Sequence, residues 1–304
     1  MTQPEASSSL FCDCLADILE DPSIMDPPRA IVPRFVWHER TTLLAAREKG
    51  GKSTLASAMA AAVSSGTPFL GGLCEAANVL IISLEEHAND FAPRLVRFGA
   101  DPERIFIVSG SREGLSLIQT IWKAAEEKHP SLIIWDTLGA YANRTSGKEI
   151  EPGDSQRWTT VMTEITDVAR EFAATLILHH SRKSDGKYRD STAIGANVDV
   201  ILEMHGEGLD PRIIKGTGRI PIRETRLKLE GDEFQLLRTS EEVESTVLDF
   251  VLTHPRCSFR DLKDGVVARD DELRRARDGL VKKGAILNLG TPQNHLYIAS
   301  GNAS

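Results

Sequence analysis

The sequence predicts an α/β fold: a mostly parallel sheet flanked by helices, with an antiparallel extension and a small C-terminal winged helix-turn-helix. Three observations predict it. Apolar, β-rich runs alternate with helical stretches from residue 41 to about residue 237, the pattern of a parallel sheet covered on both faces. After His180 the alternation stops, and four strand-like runs follow one another across short turns. Beyond residue 241, three helical periodicities precede a hairpin pattern.

Residues 1–36 read as an arm. A polar start leads into a short amphipathic helix near residues 10–19 and then into the proline-rich "DPPRAIVPRF". Such a segment has too few apolar residues for a core of its own and is expected to dock on an adjacent protomer. In residues 37–240 the strands are "TTLLAA", "NVLIISL", "RIFIVSG", "SLIIWD" and "ATLILHH", with helices expected at 54–64, 89–98, 115–128 and 155–173. The runs "NVDVILEM", "RIIKGTG", "TRLKLEG" and "FQLLR" are expected to form the antiparallel extension. In residues 241–304, Val243, Val247, Phe250 and Val251 fall at helical spacing and Pro255 ends that helix. Ser258 caps a second helix, and a third turns Leu273, Ala276 and Leu280 inward before Gly284. "AILNLGTPQNHLYIA" then reads as a hairpin turning around residues 291–294.

Composition narrows the class without naming a partner. The chain has 304 residues, 41% hydrophobic and 26% charged, as in an ordinary globular protein. Its net charge of −8 excludes a protein that coats nucleic acid with its whole surface, although local basic loops remain possible. No apolar run reaches the roughly 20 residues that span a bilayer. The start, "MTQPEASSSLFCDCLADILEDPS", has neither a basic n-region nor an apolar h-region. A cytoplasmic protein without membrane contact is expected. The four cysteines, two of them at Cys12 and Cys14, match no disulfide framework or zinc spacing and read as reduced thiols. Asn143-Arg-Thr145 matches a glycosylation sequon, which without secretion carries no weight.

The chemistry concentrates in Ala46-Arg47-Glu48-Lys49-Gly50-Gly51-Lys52-Ser53-Thr54. A phosphate cradle needs glycines so that backbone N–H groups can turn towards the anion. It also needs a lysine for the β/γ oxygens and a hydroxyl for Mg²⁺ at a helix start. Gly51, Lys52 and Ser53 fill those places, and alanine stands where the usual pattern begins with glycine. The motif follows a strand and opens a helix, as it should. "SLIIWD" ends in Asp136, placed to hold the Mg²⁺ shell. Two more strand ends are polar: Glu85-Glu86 and His179-His180. Ligands of open α/β sheets sit at such carboxyl ends. There Glu85 would orient the attacking water, and His180 would sense the γ-phosphate.

The stretches "AREKGGKST", "LIISLEE", "LIIWDTLGAY" and "LILHHSRK" stand in the order and spacing of the RecA-fold ATPases. Over residues 34–237 the chain resembles the RepA-like group of plasmid and phage replication modules, relatives of the DnaB-type hexameric helicases. The resemblance implies a RecA-like sheet, ATP and Mg²⁺ as ligands, and a homo-oligomer, a hexamer in those relatives. It makes Lys52 and Ser53 the phosphate and metal ligands, Asp136 the Walker B acid and Glu85 the catalytic glutamate. His180 falls where relatives couple nucleotide to DNA. Lys215 and Arg219 resemble a basic pair that reaches a neighbour's γ-phosphate, though "KGTGR" spaces the charges differently. Two loops of relatives face the ring centre, here residues 142–155 and 181–192. The second offers Arg182, Lys183, Lys187 and Arg189 beside Tyr188 for single-stranded DNA, diluted by Asp185 and Asp190. On the third C-terminal helix Arg274, Arg275 and Lys282 point outwards, towards duplex DNA or a replication protein. The expected function is an ATP-driven helicase or translocase of a plasmid, phage or mobile element. The alternative is an ATP-gated DNA-binding initiator or regulator, or a recombination mediator, without unwinding.

Overall fold

Strands that are apolar along their whole length must be covered on both faces, and that requirement organises the chain. The computed structural model describes residues 14–151, 153–181, 192–206, 211–266, 268–291 and 296–300. In chain order it has α1 (Leu15–Ile18), β1 (Ala30–Val32), β2 (Val36–Trp37), β3 (Thr41–Ala46), α2 (Lys52–Ser65), β4 (Pro68–Phe69), β5 (Gly72–Leu73), β6 (Val79–Ser83) and α3 (Ala88–Arg97). Then come β7 (Ile105–Val108), α4 (Leu117–Lys128), β8 (Leu132–Asp136), α5 (Leu138–Ser146), α6 (Ser155–Phe172), β9 (Ala174–His180), α7 (Thr192–Ala196) and β10 (Val200–His205). The chain continues through β11 (Arg212–Gly218), β12 (Thr225–Glu230), β13 (Glu233–Leu237), α8 (Ser240–Thr253), α9 (Phe259–Gly265), α10 (Asp270–Lys282), β14 (Ile286–Asn288) and β15 (Tyr297–Ala299).

Nine strands form one sheet in the order β13-β12-β11-β10-β3-β9-β8-β6-β7. The six from β10 to β7 run parallel, and β11, β12 and β13 extend them antiparallel. The first run expected in the antiparallel extension, β10, instead pairs in parallel with β3. β3, β6 and β8 are buried at every position. One core joins α2, α3 and the β1–β2 hairpin to one face, and a second joins α4, α5 and α6 to the other. The small-residue helix α2 is buried on almost every side, from Leu55 through Ser64. Alanines let it sit between the sheet and α3 without displacing either.

Two expected boundaries move. Ile31, Val32 and Phe35 of the proline-rich stretch, and Val36 after it, are buried in the first core, so Ala30–Trp37 packs with the main unit rather than in an arm ending at 36. Residues 142–146, expected in a loop, are the last turns of α5, which Thr137 caps by accepting from the Ala140 N–H (3.3 Å). Helices α8, α9 and α10 and the β14–β15 ribbon share a third core around Val247, Leu262, Leu273 and Tyr297. Capping boxes at Thr239 and Ser258 start the first two of these helices. Cys14, Cys74 and Cys257 are free thiols. Among the described residues, no helix is long and apolar enough to cross a membrane.

Candidate nucleotide site

β3 delivers the chain to the sheet's carboxyl edge at Ala46, and α2 leaves from Lys52. Ala46 is still strand: it lies opposite His180 on one side and Met204 on the other, with its side chain in the core. An extended residue needs no glycine, which explains the alanine. The turn falls later, where Lys49 (φ 58°) and Gly51 (φ 94°) take left-handed backbone. Arg212, at the start of β11, donates from Nε to the Gly50 carbonyl (2.9 Å).

Lys52 is buried, and its Nζ donates to the carbonyls of Ala46 (3.1 Å) and Arg47 (3.0 Å) and to His180 Nδ1 (3.2 Å). Burial lowers its pKa, opposed by the charges of Asp136, Glu85 and Glu48. An ammonium held by its own loop is poised for a phosphate oxygen that bonds it better.

β9 lies between β3 and β8, so Asp136 is two strands, about 10 Å, from the end of β3. The first turn of α2 bridges that gap: Ser53 Oγ donates to Asp136 Oδ1 at 3.3 Å. Burial pushes the Asp136 carboxyl up to about 6; the Ser53 hydrogen bond opposes this, and the neighbouring Glu86 and Glu85 add to it. A cation beside this carboxylate would favour its charged form. Glu85, just past β6, accepts from Thr137 Oγ1 (2.8 Å), and its Oε1 lies 3.7 Å from His180 Nε2. Burial, then the Lys52 charge, lowers the His180 pKa against the pull of Glu85. A neutral ring is the form whose Nδ1 accepts from Lys52. These side chains surround a cavity of about 290 Å³, which Glu48, Lys49 and Thr54 also line.

Sequence reasoning missed three members of this neighbourhood. Thr137 holds Glu85 and caps α5 with one hydroxyl. Its position directly after the acid strand, before a helix, was the available signal. Arg94 on α3 pairs with Glu86 and donates from Nε to Ser57 Oγ (3.0 Å), tying α3 to α2. Arg212 contacts a loop 162 residues away, and nothing local announces it. Of the two histidines only His180 enters the site; buried His179 lies edge-on to Trp158.

The other expected residues lie elsewhere. Lys215 pairs with Glu224 (3.6 Å) and Arg219 with Asp199 (3.2 Å), both away from the chain's own cavity. Arg275 pairs with Asp271, and the Arg274 guanidinium lies 4.8 Å from the centre of the Phe259 ring. Arg182, Lys183, Lys187 and Arg189 lie outside the described residues.

The donor set suits Mg²⁺ carried by a nucleotide. Ser53 and Asp136 would supply a hydroxyl and a carboxylate, leaving phosphate and water oxygens to complete the shell. The metal would neutralise charge developing on the phosphates. Lys52 would take a phosphate oxygen, and Glu85 would orient water and accept its proton.

The fold is shared with solved structures. One is a KaiC-like protein from the hyperthermophilic archaeon Pyrococcus horikoshii OT3, similar with a TM-score of 0.52 and 16% identity, over 70% of this chain and all of that one. No curated protein sequence matches this chain. The AAA_25 family model, described as an AAA domain, matches residues 13–186, more than half of the sequence. The chain belongs to that family and carries a P-loop ATPase domain of RecA type.

Proposed function

We propose that this protein hydrolyses ATP and couples hydrolysis to DNA, as an oligomeric RepA-like helicase or translocase of a replication module. The observation that carries hydrolysis is the joining of Ser53 to Asp136 at 3.3 Å, with Glu85 held by Thr137 beside the Lys52–His180 pair. Water oriented by Glu85 attacks the γ-phosphorus, its proton passes to the carboxylate, and the bond to the β-phosphate oxygen breaks to release ADP and phosphate. Coupling to DNA is supported by the motif order shared with the RepA-like group and by the basic residues of 182–189. Arg219 and Lys215, both exposed, are the groups a neighbouring copy would meet.

The test is ATP turnover with and without single-stranded DNA, alongside native mass. Stimulation by DNA and a mass of several protomers are expected; turnover indifferent to DNA overturns the coupling. Lys52→Ala should abolish turnover, and Glu85→Gln should lower it about 10²–10⁴-fold while nucleotide still binds. Near-wild-type hydrolysis by Glu85→Gln would remove that residue from the catalytic role.

A second reading is favoured by the self-contained C-terminal unit, whose α10 exposes Arg274 and Arg275. Read as a winged helix, it would make the protein an ATP-gated initiator or regulator. A footprint on one duplex sequence, without strand displacement from a fork, would select that reading.

A further inference from the structure

A second basic cleft lies away from the nucleotide cavity and shares none of its lining residues. Its walls are the β1–β2 turn, the strands β12 and β13, and one face of α8, and its volume is about 340 Å³. Arg34, Arg223, Arg226 and Arg238 all line it. Four arginines from three segments of the fold, the β1–β2 turn, the start of β12 and the end of β13, repel one another unless something answers their charge.

The cleft's own carboxylates answer only part of it. Glu224 is taken by Arg226 (2.9 Å) and Lys215 (3.6 Å). Glu242 accepts from the Thr239 N–H (2.7 Å) and so closes the capping box of α8. Asp249 remains on the wall. Among the described residues, no ion pair or hydrogen bond holds the side chain of Arg34, Arg223 or Arg238. Arg34 feels the crowding: desolvation, then the Arg238 and Arg223 charges, lower its pKa against the pull of Glu242.

We propose that this cleft is a phosphate-binding site in which the guanidinium groups of Arg34, Arg223 and Arg238 take a phosphate group. Planar guanidinium forks match phosphate oxygens two at a time. The volume sits at the lower end of small-ligand sites, about 300–1,000 Å³. Among the described residues no aromatic side chain lines the cleft, and the groups its arginine forks match best are phosphate oxygens. The phosphate can come from a free nucleotide or polyphosphate, or from the backbone of a nucleic-acid strand.

The test uses the full chain with Lys52→Ala, which silences the P-loop as a competing phosphate site. Calorimetric titrations with inorganic pyrophosphate and with an oligothymidylate are compared in that protein and in Lys52→Ala/Arg223→Ala/Arg238→Ala. A control, Lys52→Ala/Arg170→Ala/Arg260→Ala, removes equal charge elsewhere. At least a tenfold loss of affinity is expected for one probe in the cleft variant and not in the control. Loss for pyrophosphate identifies a free phosphate compound as the ligand; loss for the oligonucleotide alone identifies a strand backbone. The proposal is overturned if neither probe binds the Lys52→Ala chain, or if the cleft variant and control bind both alike. Glutamine at positions 223 and 238 replaces alanine if the alanine protein fails to fold. No hydrolysis enters the measurement, so the proposal stands or falls separately from the ATPase reading.

Discussion

Asp136 carries the sharpest electrostatic tension in the site. Its ordinary pKa of 3.8 rises to about 6 because burial disfavours the anion. The folded chain therefore binds a proton more tightly than the unfolded chain, and stability falls as pH rises from about 4 to about 6. Below that window both states are protonated and the penalty is absent; above it the penalty is complete, on the order of 3 kcal/mol. Asp136→Asn keeps an acceptor for Ser53 and removes the charge. Urea unfolding without nucleotide should show the variant more stable than wild type at pH 7.5, by up to about that amount, with the gap closing near pH 4. Parallel stability curves across this range would show that the carboxylate is not penalised by burial. Mg²⁺ with nucleotide should stabilise wild type and not the variant. The site's chemistry was legible in the sequence because Asp136 ends, and Lys52, Ser53 and Glu85 follow, strands that hydropathy alone reveals. The alanine at the head of the loop looked like a departure only because the pattern does not say where the strand ends. It ends one residue later than the motif suggests.

Segments long enough to show a period were readable, and shorter ones were not. The buried runs of β3, β6, β8 and β9 stand out from their flanks, and helices such as α6 start and stop within a residue of expectation. β1, β2, β4 and β5 have two or three residues each, too few for any periodicity, and they are fixed by what they pack against. Helix α5 was hidden because Asn143, Arg144, Thr145 and Ser146 read as loop, while Leu138, Tyr141 and Ala142 face the second core. The β1–β2 hairpin changes how the N-terminal segment should be cut. Leu15, Leu19, Ile24 and Met25 are exposed, with Met25 at 81%, whereas Ile31 and Val32 are buried. Removing residues 1–28 should leave the thermal midpoint of the chain unchanged and lower its native mass, if the exposed apolar residues dock on a neighbouring copy. Removing residues 1–33 should also destabilise the fold by roughly 3–6 kcal/mol, from two buried aliphatic side chains at about 1.5–3 kcal/mol each. An unchanged mass after the shorter deletion would count against docking.

The placement of Arg219 bears on how copies of the chain would have to meet. Its backbone N–H bonds the Asp199 carbonyl (2.9 Å), and the Asp199 side chain accepts from the Thr41 N–H (2.9 Å), at the start of β3. The P-loop begins at the other end of β3, about 17 Å along the strand. Gly218 fixes this end of β11, since a Cβ there would lie 2.3 Å from the Asp199 carbonyl oxygen. Arg219 therefore cannot serve its own cavity without remodelling the sheet. A head-to-tail assembly, in which one surface of each copy meets a different surface of the next, would bring such a group to a neighbour's phosphates. A cation acting in trans is worth about 10³–10⁵ in turnover, so Arg219→Ala should lose at least about 10²-fold while nucleotide affinity holds. Mixing supplies the decisive measurement. Arg219→Ala keeps Glu85, and Glu85→Gln keeps Arg219, so each protein alone is nearly inactive. In a one-to-one mixture about a quarter of the interfaces would pair an intact Glu85 with an intact Arg219 across two chains, assuming random head-to-tail assembly. Turnover near a quarter of wild type is the expected result. A mixture no more active than the two proteins measured apart would show that Arg219 does not act across an interface.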